Sequence, residues 1–103
     1  MRVISVSILK DFWAKHPSSE EPLRLWFAEA RAARWAGPAD LKAQYGSASI
    51  LKNNRVVFNI AGNKFRLVAA IHYLSFALLI KFVGTHEEYD RIDAQTFDRK
   101  VNG

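Results

Sequence analysis

The chain has no cysteine, one methionine, three prolines and five glycines among its 103 residues. Without cysteine there is no disulfide framework, no thiolate zinc site and no thiol nucleophile, and a reducing, cytoplasmic setting is expected. No apolar run exceeds five residues, the length of Phe76 to Ile80, whereas a membrane-spanning helix needs about 20. Met1-Arg2-Val3-Ile4 runs straight into polar Ser5 and Ser7, so neither a signal peptide nor a membrane partner is expected. Repeats, low-complexity tracts and Pro/Gly-rich linkers are also lacking, and the length suits one packed core. Residues 1–103 are expected to form a single domain, with a flexible tail from about residue 94.

Half the residues are hydrophobic, 13% are aromatic and 24% are charged, the balance of a folded domain. Lys and Arg total 15 against 10 Asp and Glu, for a formal charge of +5. Between Asp40 and Glu87 there is no acid, while Lys42, Lys52, Arg55, Lys64, Arg66 and Lys81 give that stretch +6. The excess charge is therefore one contiguous segment, and a polyanion such as nucleic acid is the first partner to test.

The periodicity is helical first and stranded afterwards. Met1 to Ile4 reads as a short strand, and Ser5 or Ser7 caps a helix to about Lys15, with Ile8, Leu9, Phe12 and Trp13 at helical spacing. Ser18 and Glu21 have capping-box spacing for a second helix marked by Leu23, Trp26, Phe27, Ala30, Ala33 and Arg34, which Gly37-Pro38 stops. A shorter helical stretch follows over Ala39 to Gln44. Arg55 to Ile60, a turn at Ala61-Gly62-Asn63, and Lys64 to Tyr73 read as a β-hairpin. Phe76 to Val83 is a third strand. Thr85 and Glu88 form a second capping-box pattern, opening a short helix to Ile92. The order predicts an α+β fold with helices on one face of an antiparallel sheet.

Alternation splits each strand into two faces. Val56, Phe58 and Ile60, then Phe65, Leu67, Ala69, Ile71 and Tyr73, then Phe76, Leu78, Ile80 and Phe82 form the greasy face expected under the helices. The other face carries Arg55, Asn59, Lys64, Arg66, His72 and Lys81, together with Val83. Such a surface suits a phosphodiester chain; the same pattern also describes the solvated outer face of an ordinary sheet.

Phosphodiester cleavage without metal needs cations for the developing phosphoryl charge and groups that accept and donate a proton. Arg66 and Lys81 fit the first task. His86 fits a proton role, since imidazole changes charge in the physiological range, and Tyr89 lies one helical turn from it. The bland readings are His86 as a neighbour of the helix cap, His72 as a sheet residue and His16 as a helix-end residue. Trp13, Trp26 and Trp35 read as core or protein interface. Glu87, Glu88, Asp90 and Asp93 lack companion ligands, and no metal or cofactor is expected.

At Asn54-Arg55-Val56-Val57-Phe58-Asn59-Ile60, Gly62-Asn63-Lys64-Phe65-Arg66-Leu67-Val68 and Gly84-Thr85-His86-Glu87-Glu88-Tyr89-Asp90 the sequence resembles the HigB toxins, members of the RelE-like superfamily. The resemblance extends over nearly the whole chain, including Phe12 to Pro17 and Ala39 to Lys42. It implies a toxin of a type II toxin-antitoxin module, with helices backing a twisted antiparallel sheet and a short C-terminal helix. The implied activity is ribosome-dependent cleavage of mRNA in the A site, with the 2′-hydroxyl as nucleophile and no metal. Arg66 matches a sheet arginine that holds the scissile phosphate. Lys81, His86 and Tyr89 fall among the remaining catalytic positions, and Lys52, Arg55, Asn59 and Lys64 are expected to contact RNA. The implied protein partner is a HigA-like helix-turn-helix antitoxin, through which alone the toxin would reach operator DNA. The alternative is a non-catalytic RNA- or protein-binding module, a degenerate toxin serving as an antitoxin-binding corepressor.

Overall fold

The computed structural model describes residues 1–98. The elements run β1 (Arg2–Ile4), α1 (Ser7–Lys15), α2 (Glu20–Ala32), α3 (Pro38–Gln44), β2 (Ser49–Ile50), β3 (Arg55–Ile60), β4 (Phe65–His72), β5 (Ala77–Thr85) and α4 (His86–Tyr89). The strands form one sheet in the order β1-β5-β4-β3-β2. The α+β arrangement is the expected one, with the central hairpin extended on both sides. β2 adds an antiparallel edge to β3, and β1 lies parallel to β5 with Arg2 opposite Ala77.

The helix boundaries follow local chemistry, with four departures from the sequence pattern. The Ser18 capping box does not form: Pro17–Ser19 is a 3-10 turn in which the Ser19 hydroxyl donates to the His16 carbonyl at 2.7 Å, and α2 begins at Glu20. Neither Ser5 nor Ser7 caps α1, because Ser5 sits at φ 73 and Val6 occupies the N-cap. α2 stops at Ala32, since Ala33 is already extended. The Thr85 box does form: the Glu88 amide donates to Thr85 Oγ1 at 3.2 Å, and the Thr85 amide donates to Glu88 Oε1 at 2.8 Å. The resulting α4 is one turn long and ends before Ile92.

Leu9 and Phe12 of α1, Leu23, Trp26 and Ala30 of α2, and Leu41 of α3 pack on one face of the sheet. The strands answer with Val56, Phe58 and Ile60, then Phe65, Leu67, Ala69 and Ile71, then Leu78, Ile80 and Val83. Phe58 is the aromatic hub, with the rings of Trp26, Tyr45 and Trp35 centred 5.3, 5.2 and 6.3 Å away. Trp26 and Trp35 are thus core residues, one of the two roles expected of them. Tyr45 donates to Glu29 Oε1 at 3.1 Å, and burial, with Glu29 adding to it, pushes the phenol well above its usual range.

The sequence pattern misassigns β5 beyond its middle. Val68 pairs with Phe82 and Ala69 pairs with Ile80, so Lys81 is the extra residue of a β-bulge. A one-residue shift exchanges the faces of everything after it. Val83 therefore joins the helix-side core, and Phe82 moves to the opposite face.

That opposite face is organised in three cross-strand rows: Asn59–Arg66–Gly84, Val57–Val68–Phe82 and Arg55–Ala70–Leu79. The middle row is apolar and is covered by Tyr89, Ile92 and Ala94 from the C-terminal segment, which form a second small core with it. Phe97 adds a T-shaped contact to Phe82 at 5.4 Å. The sheet is thus packed on both faces, over most of its area by helices and over a narrow strip by the segment after β5.

Leu67 is fully buried on the helix side. Leu67→Ala is expected to lower stability by about 2 to 5 kcal/mol in urea unfolding. A change smaller than that would contradict the assignment of the two faces.

Candidate active site

The basic residues expected on one continuous surface fall into distinct settings, because the C-terminal segment crosses between them. At the hairpin end Arg66 is half-buried, and its guanidinium donates to the carbonyls of Asn63 and Phe65 at 3.1 and 3.2 Å. It meets no carboxylate among the described residues. Its row neighbours are Asn59, whose amide donates to the Ser47 carbonyl at 3.1 Å, and Gly84. A Cβ at Gly84 would collide with the Phe82 ring and approach Glu88 Cβ to 3.2 Å, so β5 lies close under α4 only because this position is bare. Two residues further on, His86 opens α4 half-exposed, with Nδ1 3.2 Å from Asp90 Oδ2. That contact holds one ring nitrogen and leaves the other to act. Lys64 in the hairpin turn and Lys52 before β3 are exposed.

Tyr89 does not share the open side of α4 with His86. It packs half-buried against the Val57–Val68 cluster, because its ring is part of what covers the apolar row.

Arg55 departs most from expectation. It is 7% exposed and therefore offers no surface to RNA. Its Nη1 donates to the carbonyls of Phe97 and Ala94 at 2.6 and 3.4 Å, and Nη2 pairs with Asp98 at 3.2 Å. A buried guanidinium must find acceptors for its donors, and these come from residues about forty positions further along. Of the expected tail, residues 94–98 are held in this way, and residues 99–103 lie outside the described region.

Asp98 also meets Lys81, whose Nζ lies 2.9 Å from the same carboxylate oxygen. The hydrogen bond from Lys81 and its charge, with Arg55 adding to them, hold the Asp98 carboxyl below the usual carboxylate range. Lys81 lines a cleft of about 300 Å³ along the part of β5 that the short β1 leaves unpaired. Lys15, His16, Asp11, Glu88 and Phe97 stand around it. Lys15 and His16 were not singled out from the sequence, where His16 reads as a helix end. Its ring in fact stacks on Phe12 at 4.4 Å at the mouth of the cleft. The adjacent pair at the C-terminus of an amphipathic helix is the signal that could have found them. Among the described residues no three His, Asp or Glu side chains gather to hold a metal ion.

Residues 19–92 match the family of HigB toxins, described as the RelE-like toxic component of a toxin-antitoxin system. The chain belongs to the HigB toxin family. It is 33% identical over 92 residues to the mRNA interferase toxin HigB of Escherichia coli K12, covering 87% of this chain and 88% of that one. The mRNA interferase HigB of Shigella flexneri gives the same figures. A second Escherichia coli mRNA interferase HigB, from strain CFT073, is 21% identical over 94 residues, covering 89% and 91%. In this HigB toxin the open arginine row and the cleft are separate places where cations face solvent-accessible space.

Two outcomes follow for the residues that close the sheet. Arg55→Met removes hydrogen bonds made by a charged donor, and should lower stability by at least about 1.5 to 3 kcal/mol in urea unfolding, with faster amide exchange over residues 94–98. Because the folded-state pKa of Asp98 is depressed, its contribution is present above the ordinary carboxylate range and is lost as pH falls through the folded value. Acidification should therefore release the segment, seen as shifts of the Ala94 and Ile92 methyl resonances, and Asp98→Asn should abolish that acid transition.

Proposed function

We propose that this chain is an endoribonuclease that cuts mRNA in the ribosomal A site without metal, and that a HigA-like helix-turn-helix antitoxin neutralises it. The relatives named mRNA interferase support the activity. The observation that carries the reading onto this chain's residues is the Arg66 guanidinium, which stands in a polar row beside α4 with no carboxylate partner among the described residues.

The step is attack of a ribose 2′-oxygen on the adjacent phosphorus. The 2′-O–P bond forms, the P–O5′ bond breaks, and the products are a 2′,3′-cyclic phosphate and a free 5′-hydroxyl. One proton leaves the 2′-hydroxyl and one arrives at the departing 5′-oxygen. Arg66 supplies two-pronged donation to the phosphoryl oxygens, whose charge grows in the transition state. His86, oriented by Asp90, exchanges a proton through its remaining ring nitrogen. Lys81 adds a second cation along the path of the RNA from the separate cleft, where Asp98 pairs with it, and the half-buried Tyr89 acts through the cover it forms over the apolar row. Asn59 and Lys64 steer the strand across the hairpin end, and Lys52, before β3, meets it further along. Arg55 acts only through the segment that it holds.

The test is cleavage of a translated message on ribosomes by the wild type and by Arg66→Ala, read by primer extension, with unfolding curves for both. The variant should lose about 10²- to 10³-fold in rate with its unfolding midpoint unchanged. Normal cleavage by Arg66→Ala would remove this arginine from the mechanism. Full toxicity of the Arg66→Ala, His86→Ala double variant would assign the chain to the non-catalytic class instead.

A further inference from the structure

A separate groove lies beyond the start of β5, roughly 17 Å along the strand from Lys81 to Phe76. It measures about 440 Å³, and its walls include Arg2, Arg31, Arg34, Ala33, Ser75 and Phe76. Three elements meet there: the start of β1, the last turn of α2 with the residues after it, and the connection from β4 to β5. The three arginines meet no carboxylate among the described residues. They also lie outside the basic stretch between Asp40 and Glu87, so the groove is a separate concentration of charge.

Two of the three arginines are held against aromatic rings. Arg34 lies 4.3 Å above the Phe76 ring and Arg31 6.0 Å from that of Phe27, while further down α2 Arg24 covers Trp13 at 4.6 Å. Residues 24, 27 and 31 recur at helical spacing along one side of α2, and Arg34 lies just past its end. Stacking restricts each guanidinium before any partner arrives, and so lowers the ordering cost of binding. The connection that carries Phe76 is itself bent tightly: Phe76 sits at φ 51, in the left-handed region that a bulky residue rarely adopts. Two residues before it, Leu74 is fully exposed.

We infer that this groove is the docking surface for an acidic segment of the antitoxin that carries at least one apolar side chain. The inference rests on the family's toxin-antitoxin character and not on how RNA is cut. A phosphodiester strand would use the arginines but gain nothing from Leu74, whereas a protein segment uses both. The charged side chains lining the groove are arginines without a lysine, which is the bias of protein interfaces, where arginine and aromatic residues concentrate and lysine is depleted. The groove is also clear of Arg66, His86 and Lys81, so a partner seated here engages surface that the cleavage chemistry does not occupy.

The experiment is titration calorimetry of the full chain with the antitoxin encoded beside it, the two purified separately, using Arg31→Ala with Arg34→Ala and, independently, Leu74→Ser. Thermal unfolding and ribosomal cleavage are measured on the same preparations. The double arginine variant should bind at least about 30-fold more weakly, as expected for removal of hot-spot side chains. Leu74→Ser should bind about tenfold more weakly, and both should cleave RNA at the wild-type rate. Unchanged antitoxin affinity in both variants overturns the inference. Retained antitoxin affinity with weakened RNA binding also overturns it, by giving the groove to nucleic acid.

Discussion

The buried guanidinium of Arg55 is the interaction on which the use of the sheet depends. A charged side chain cannot stay inside without acceptors, and β3 provides none for it. The acceptors are the carbonyls of Ala94 and Phe97 and the carboxylate of Asp98, so burying Arg55 and laying down the segment after α4 are one event. With that segment in place the apolar row Val57–Val68–Phe82 is covered, and the row containing Arg66 stays open. The same carboxylate reaches Lys81, which ties the cleft beside β5 to the anchoring of the chain.

Electrostatics and packing therefore divide the molecule's cations by task. Arg66, Lys64 and Lys52 remain toward solvent at or near the hairpin. Arg55 is internal and structural. Arg24, paired with Glu20, and Arg31 on α2, together with Arg34 just past its end, lie over aromatic rings that hold their guanidinium groups in place. A single net charge for the chain conceals these three populations, which differ in burial and in the neighbours that hold them.

The hairpin, the helix-side core and the Thr85 box were legible in the sequence because each is written in local spacing: alternation over β3 and β4, and a Thr and a Glu three apart. The second half of β5 was not, because nothing in Leu79-Ile80-Lys81-Phe82 announces that Lys81 is bulged, and one extra residue moves Phe82 and Val83 to opposite faces. Arg55 was read as an RNA contact because alternation places it correctly on the second face but says nothing about what covers that face. The cover comes from residues 89–97, far away in the chain. Lys15 and His16 were passed over for a related reason, since their neighbour Lys81 lies on an element more than sixty residues later. Arg66 and His86 were legible as exposed or half-buried polar positions because local spacing alone places them in open, polar settings.

β1 has a kinetic meaning as well as a topological one. Among the described residues it pairs with β5 alone, in parallel and across some seventy-five residues, and no local turn can guide that pairing. The hairpin of β3 and β4 can zip from its own turn, but the β1 edge must wait until β5 is in register, bulge included. The cleft beside Lys81 is bounded by α1, which follows that edge, and by the segment that Arg55 anchors. Both boundaries join distant parts of the chain, so closing the cleft carries a larger loop-closure cost than zipping the central hairpin.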